Sequence, residues 1–164
     1  MIYMGDKMSR YNRNEVYDYA KKWAYGRNPK YLNYDTIGGD CTNFVSQCIY
    51  AGCKQMNYNK INGWYYINGN DKSPSWTGVE FLYDFLINNK GIGPHGEIAE
   101  IDNLQIGDVI QLSFDRETYG HSLIVVRSGI NSETTLIAAH SFDVFGKKIS
   151  EYSYEKYRCI HIEF

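Results

Sequence analysis

The sequence predicts an α+β fold in which N-terminal helices pack on a C-terminal antiparallel β-sheet. Apolar residues recur at helical spacing in the first half of the chain, whereas from about residue 104 they form short β-branched runs between turn residues. The 164 residues show no internal repeat and no linker-like stretch. That length allows one sizeable core but not two ordinary domains. We therefore expect a single domain over residues 1–164.

The first two helices are expected from their capping residues. Asn12 and Glu15 have the spacing of a capping box, followed by an apolar stripe. The second helix should start at Asp40 and end at Gly52, a favourable C-cap residue. Its apolar face includes Cys48, which we expect in the core.

A third helix and a set of strands complete the prediction. Thr77 and Glu80 suggest another capping box, and Gly91 would close that helix. Residues 57–75 are rich in Asn, Gly, Tyr and Trp and are expected to form a long loop or hairpin. The expected strands are 107–114, 121–127, 134–141, 144–149 and 158–164. His161 would face solvent, and Asp108 would be a turn residue.

Composition excludes several functional classes. A net charge of −2 and a pI near 6.1 argue against a nucleic-acid partner. No apolar run has the roughly 18 residues of a transmembrane segment. Residues 1–10 lack the apolar core of a signal peptide, which leaves the compartment open. The four cysteines and four histidines lack the paired spacings of a metal site, so we expect no metal.

Cys41 is the candidate nucleophile. It follows Gly38, Gly39 and Asp40 at a helix N-terminus, where the partial positive charge should lower the thiol pKa. The glycines would let a substrate backbone approach the sulfur. Asp40 would accept hydrogen bonds from the first free N–H groups. The alternative is an N-cap aspartate followed by an inert, buried cysteine.

His121 and His140 are the candidate base and its orienting partner. If the hairpin closes symmetrically at the centre of its connection, 128–133, the two histidines stand directly opposite each other on one face. A nucleophile with a base and an orienter is the arrangement of covalent catalysis. Asp143 is a rival orienter, and both histidines could instead be structural. A slip of one residue would send them to opposite faces.

The run GGDCTNFVSQCIYAG, residues 38–52, resembles the signature of the bacterial family named Putative amidase domain, a branch of the papain-like NlpC/P60 and CHAP cysteine hydrolases. LxxGDVI at 104–110, HSLIVV at 121–126 and AHSFD at 139–143 follow in the family's order. The resemblance implies a papain-like (NlpC/P60-type) core and a catalytic set of Cys41, His121 and His140, with no cofactor. The upstream oxyanion-hole glutamine is missing, so Tyr34 is the candidate second donor beside the Cys41 N–H.

The sequence therefore predicts a cysteine amidase or peptidase acting on a peptide or other amide. The resemblance favours cell-wall peptides and a secreted or cell-surface location. Trp64 and Trp76 could line a substrate groove or, equally, cover the edge of the core. The alternatives are a non-catalytic module that binds a peptide or glycan, and a cysteine acyltransferase. The oligomeric state stays open.

Overall fold

A computed structural model describes residues 11–164. The expectation about a signal peptide falls on residues 1–10 and lies outside the described residues. The helices are α1 (Arg13–Trp23), α2 (Cys41–Cys53), α3 (Pro74–Thr77) and α4 (Val79–Asn88). The strands are β1 (Tyr66–Asn68), β2 (Asp71–Lys72), β3 (His95–Ala99), β4 (Val109–Ser113), β5 (His121–Arg127), β6 (Leu136–Ala139), β7 (Val144–Lys148) and β8 (Lys156–Glu163). Two 3₁₀ turns lie at Ile101–Asn103 and Ile149–Glu151.

The main sheet has six antiparallel strands in the order β3-β8-β4-β5-β6-β7. The α+β prediction is thus confirmed, and β5 has the expected bounds. The sequence analysis missed β3, which forms one edge of the sheet beside β8. The segment 57–75 contains the small β1–β2 hairpin.

The sheet is covered on both faces. Phe44, Cys48 and Ile49 of α2 pack with Val109 and Ile124 on one face, as the apolar stripe of that helix predicts. The opposite face buries a second apolar cluster beneath the two 3₁₀ turns. Its members are Leu104, Ile110, Leu112, Leu123, Val125, Ile137, Ala139, Ile149 and Cys159. Strands with both faces covered lose the simple alternation of apolar and polar residues.

Only half of the capping box predicted for α1 forms, because the Asn12 N–H donates to the Gly52 carbonyl at 2.9 Å instead of to Glu15, and the predicted end of α2 is wrong. Asn12 Oδ1 accepts the N–H of Glu15 at 3.1 Å. The helix α2 continues through Gly52 and is capped by Lys54, which has a left-handed φ of 54°. Gly52 instead allows α1 to approach closely, because a Cβ there would lie 2.5 Å from Val16 Cγ2.

The predicted start of the third helix is wrong. Gly78, not Thr77, is the N-cap of α4, so no side chain caps the start of this helix. Thr77 belongs to α3 and accepts a hydrogen bond from Lys72 Nζ at 3.0 Å. Glu80 reaches the N–H of Tyr119 at 2.8 Å rather than its own helix. Tertiary partners have taken the place of the local cap.

Asp108 is a buried anchor rather than a turn residue alone. Its carboxylate accepts hydrogen bonds from Arg13 at 2.8 Å and from the N–H groups of Gln105 and Ile162 at 2.8 and 2.9 Å. His161 Nδ1 lies 3.0 Å from the same carboxylate, so His161 is half-buried and not on the surface as expected. The carboxylate therefore joins α1, the turn before β4, and β8.

We expect Asp108→Asn to lower the free energy of unfolding by about 3 kcal/mol, because it leaves the Arg13 charge without its partner. Urea denaturation measures the difference. Asp102→Asn is the matched control, since Asp102 is exposed on the neighbouring 3₁₀ turn, and it should change stability by less than about 0.5 kcal/mol. Equal losses in both variants would contradict the anchoring role.

Candidate active site

The residues that follow Cys41 and His121 in the chain, Thr42 and Ser122, meet where α2 packs on β5. Cys41 is the first residue of α2, and His121 is the first residue of β5. The Thr42 and Ser122 hydroxyls are 2.9 Å apart and join the two elements. The Cys41 sulfur lies 3.8 Å from the Thr42 hydroxyl, and the backbone of Ser122 is close enough to it to favour the thiolate. The nucleophile and base expected from sequence therefore each precede one member of the Thr42–Ser122 pair.

Cys41 rests as a neutral thiol. Burial raises its pKa, although hydrogen bonds from Ser122 and Thr42 favour the thiolate, and nearby Asp40 raises the pKa further. The side chain is 8% exposed. The expected lowering of the pKa by the helix N-terminus is therefore wrong, because desolvation outweighs it.

His121 rests as a neutral imidazole. Burial, reinforced by the positive charge of Lys147, lowers its pKa to about 4. Its ring lies against Tyr152, with centroids 5.7 Å apart and an interplanar angle of 59°. Within residues 11–164, neither ring nitrogen of His121 makes a hydrogen bond to a protein group. In particular, no hydrogen bond connects the ring to Cys41. The imidazole therefore keeps a free lone pair that can accept a proton.

The hairpin register differs from the expected one by one residue. Ile124 stands opposite Ala138, and extending this register puts His140 opposite Ser122 instead of His121. The two histidines therefore lie on opposite faces. The cause is a register shift near the end of β5, together with an off-centre turn at 131–135.

His140 belongs to a buried polar cluster under the start of α2. Its Nδ1 lies 2.5 Å from Asp40 Oδ2, and its Nε2 lies 2.8 Å from the Trp23 carbonyl. Phe44 stacks on the ring at 4.0 Å. The structure does not bring His140 to His121, so the predicted role as its orienter is wrong.

Asp40 holds the loop before α2 and does not cap the helix with its side chain. Besides His140, its carboxylate accepts the N–H of Tyr34 at 2.8 Å and an Asn43 amide hydrogen at 2.9 Å. Arg27 Nε lies 3.6 Å away. Asp40 is fully buried, so it is not positioned to touch a substrate.

The rival orienter and the candidate oxyanion donor lie elsewhere. Asp143 forms a two-point ion pair with Arg27, at 2.9 and 3.0 Å, rather than contacting His121. Tyr34 is buried, and its hydroxyl has no hydrogen-bond partner within residues 11–164. Its ring faces Lys72 Nζ at 5.5 Å, and no contact places it at Cys41.

The two tryptophans are core residues. Trp64 and Trp76 are fully buried, and their rings pack 4.7 Å apart. Their indole N–H groups donate to Ser46 at 3.1 Å and to Asn43 at 3.0 Å, both on α2. Neither can line a substrate groove in this structure, so the core alternative holds.

Tyr152 and Lys147 are site residues that the sequence analysis missed. Tyr152 follows the Ile149–Glu151 turn, and Lys147 lies near the end of β7. Lys147 Nζ sits 3.7 Å above the Tyr152 ring, and that ring contacts His121. No local pattern distinguishes these residues, because only the return of the chain from β7 to β8 brings them to His121.

The described chain shows neither a metal-binding cluster nor a membrane-spanning helix. Over residues 11–164, no three His, Cys, Asp or Glu side chains converge to hold a metal ion. None of the helices in the same part of the chain is both long and apolar enough to cross a bilayer.

Comparison with known proteins identifies the family. The chain is 31% identical over 149 residues to "Uncharacterized protein YhbB" of Bacillus subtilis (strain 168), in an alignment that covers 89% of this chain and 45% of that protein. The chain thus spans about half the length of this curated relative. No solved structure matches it. A family model named Putative amidase domain matches residues 10–162, nearly the whole sequence, and the chain belongs to that family.

Proposed function

We propose that this chain is a cysteine-dependent amide hydrolase with Cys41 as nucleophile and His121 as general base. The observation that carries the proposal is the junction of α2 and β5, where the hydroxyls of Thr42 and Ser122, the residues after Cys41 and His121, lie 2.9 Å apart. The family's name independently indicates amide hydrolysis. A cysteine at a helix start, packed on an antiparallel sheet that carries the histidine, also supports a papain-like relationship.

The reaction has two halves. The Cys41 sulfur attacks the amide carbonyl while its proton passes to His121, and a C–S bond forms. His121 then gives that proton to the leaving amine as the C–N bond breaks, which leaves a thioester. Water attacks the thioester, and one of its protons passes to His121. As the C–S bond breaks, that proton returns to the sulfur and the carboxylic acid is released.

The resting protonation states support general-base activation rather than a preformed ion pair. The pKa of the Cys41 thiol is raised and that of His121 is lowered, so both groups are neutral near pH 7. Proton transfer then accompanies attack on the carbonyl, as in serine hydrolases. The hydrogen bond between the two side chains forms when substrate binds, as catalytic hydrogen bonds commonly tighten in the Michaelis complex.

In this proposal His140 is a positioning residue that acts through Asp40. The pair ties the end of β6 to the residue before Cys41. The substrate class is a peptide or another amide, and the resemblance to NlpC/P60 hydrolases favours cell-wall peptides.

Cys41→Ala and His121→Asn should each reduce amide hydrolysis by about 10³-fold or more, because they remove the nucleophile and the base. A panel of peptide p-nitroanilides, followed by release of p-nitroaniline, measures the rates. Cys48→Ala is the control, since Cys48 is fully buried on the same helix. It should lower stability while the folded protein keeps its turnover.

Other outcomes would favour the alternatives. Residual activity in Cys41→Ala would show that the cysteine is not the nucleophile. A wild-type protein that hydrolyses no amide and forms no covalent adduct at Cys41 would fit a binding module. An acyl group that passes mainly to added hydroxylamine rather than water would indicate an acyltransferase.

His121 should make folding stability depend on pH. Its pKa is about 4 in the folded protein and about 6.5 in the unfolded chain, so the unfolded state binds the proton first as the pH falls. Stability is full above pH 6.5, and about 3 kcal/mol should be lost between pH 6.5 and 4. Urea denaturation across this range should show that loss in wild type and in His95→Asn, an exposed control, but not in His121→Asn. Parallel curves for all three proteins would contradict the burial of a neutral His121.

His140→Gln should lower the free energy of unfolding by about 2 kcal/mol, because Asp40 loses a buried hydrogen-bond partner. The substitution should also reduce kcat, because loss of the contact with Asp40 displaces the start of α2, where Cys41 lies. The acid limb of kcat/KM should stay near pH 4, since His140 does not contact His121. A shift of that limb in His140→Gln would contradict the placement of the two histidines.

A further inference from the structure

The proposed reaction requires hydrogen-bond donors for the oxyanion that forms on the attacked carbonyl. The first N–H groups of an α-helix have no partner inside the helix, so the backbone N–H of Cys41, the first residue of α2, can supply one donor. Tyr34, the second donor expected from sequence, has no contact that places it at Cys41. A second donor must come from another residue at the junction of α2 and β5.

Tyr152 lies at that junction. Its ring contacts His121, with 5.7 Å between centroids. Its hydroxyl makes no hydrogen bond to any residue in the described range 11–164. The hydroxyl is also close enough to Cys41 for a negative charge on the sulfur to raise the pKa of Tyr152. The Tyr152 ring thus lies beside His121, and its unpartnered hydroxyl is free to bind a substrate oxygen.

The position of Tyr152 is held from two sides. Its N–H donates to the Ile149 carbonyl at 3.0 Å, and the Ile149 side chain is fully buried. Lys147 Nζ sits 3.7 Å above the ring, a favourable cation–π contact. A donor that is held before the reaction needs no reorganisation when charge develops on the oxygen.

The charge state of Tyr152 suits a donor. Burial is the largest effect, and with the neighbouring Cys41 and Glu151 it raises the pKa of Tyr152 to about 12, so the phenol keeps its proton at neutral pH. The Lys147 ammonium, 3.7 Å from the ring centroid, places a positive charge next to the phenol. No proton transfer is required, because the phenol only donates a hydrogen bond.

We propose that the Tyr152 hydroxyl is the second donor of the oxyanion hole, paired with the Cys41 backbone N–H. This catalytic role rests on the proposed function, in which Cys41 attacks a carbonyl.

The test compares two reactions of the same sulfur in the full chain. Acylation by p-nitrophenyl acetate passes through a tetrahedral oxyanion, whereas alkylation by iodoacetamide does not. Tyr152→Phe keeps the ring and removes only the hydroxyl. We expect it to slow Cys41 acylation by about 100-fold and to leave Cys41 alkylation within about twofold of wild type. Mass spectrometry locates each adduct, and Cys41→Ala corrects for reaction elsewhere.

Tyr34→Phe is the matched control and should acylate like wild type. The inference would be overturned if Cys41 of Tyr152→Phe were acylated at the wild-type rate. It would also be overturned if only Tyr34→Phe showed a reduced rate of acylation. Equal slowing of acylation and alkylation would show that Tyr152 supports the thiol or His121 rather than the oxyanion. A wild-type chain in which p-nitrophenyl acetate does not acylate Cys41 would refute the proposed function itself, and the inference with it.

Discussion

The candidate site depends on the buried carboxylate of Asp40. A charge removed from water costs several kcal/mol unless it is paired and hydrogen-bonded. Tyr34, Asn43 and His140 supply those bonds from the preceding loop, from α2 and from the end of β6. One carboxylate therefore determines where α2 begins relative to the sheet, and with it the position of Cys41. The buried carboxylate next to the candidate nucleophile in the chain is therefore structural.

Local sequence patterns predicted the parts of the site that local forces determine. The start of α2 and the bounds of β5 at 121–127 were predicted from local residue patterns, although Asp40 acts through tertiary hydrogen bonds rather than as a side-chain cap. The register in which β5 pairs with β6 could not be predicted in this way. Because both faces of β5 are covered, its residues are apolar on either side and carry no alternation that would reveal the register. The bulge that separates His121 from His140 is therefore invisible in the sequence.

Roles that depend on distant partners were also beyond sequence reasoning. A Trp or Tyr suits a groove or a core equally well until its polar atom finds a partner. Trp64 and Trp76 find theirs on α2 and are buried, whereas the Tyr152 hydroxyl has none along the described chain and sits at the site. Amphipathic rings of similar chemistry thus come to lie in opposite environments. The difference arises only from tertiary structure.

The burial of Cys41 also governs how the protein responds to oxidants. Peroxides react with thiolates, and redox-sensing cysteines are accordingly exposed and of low pKa. Cys41 has the opposite character, with a raised pKa and little exposed surface. In the absence of substrate we therefore expect its conversion to sulfenic or sulfinic acid to be slow. In the proposed mechanism, a bound carbonyl and His121 together increase the reactivity of this sulfur, so the unoccupied site is expected to resist oxidation.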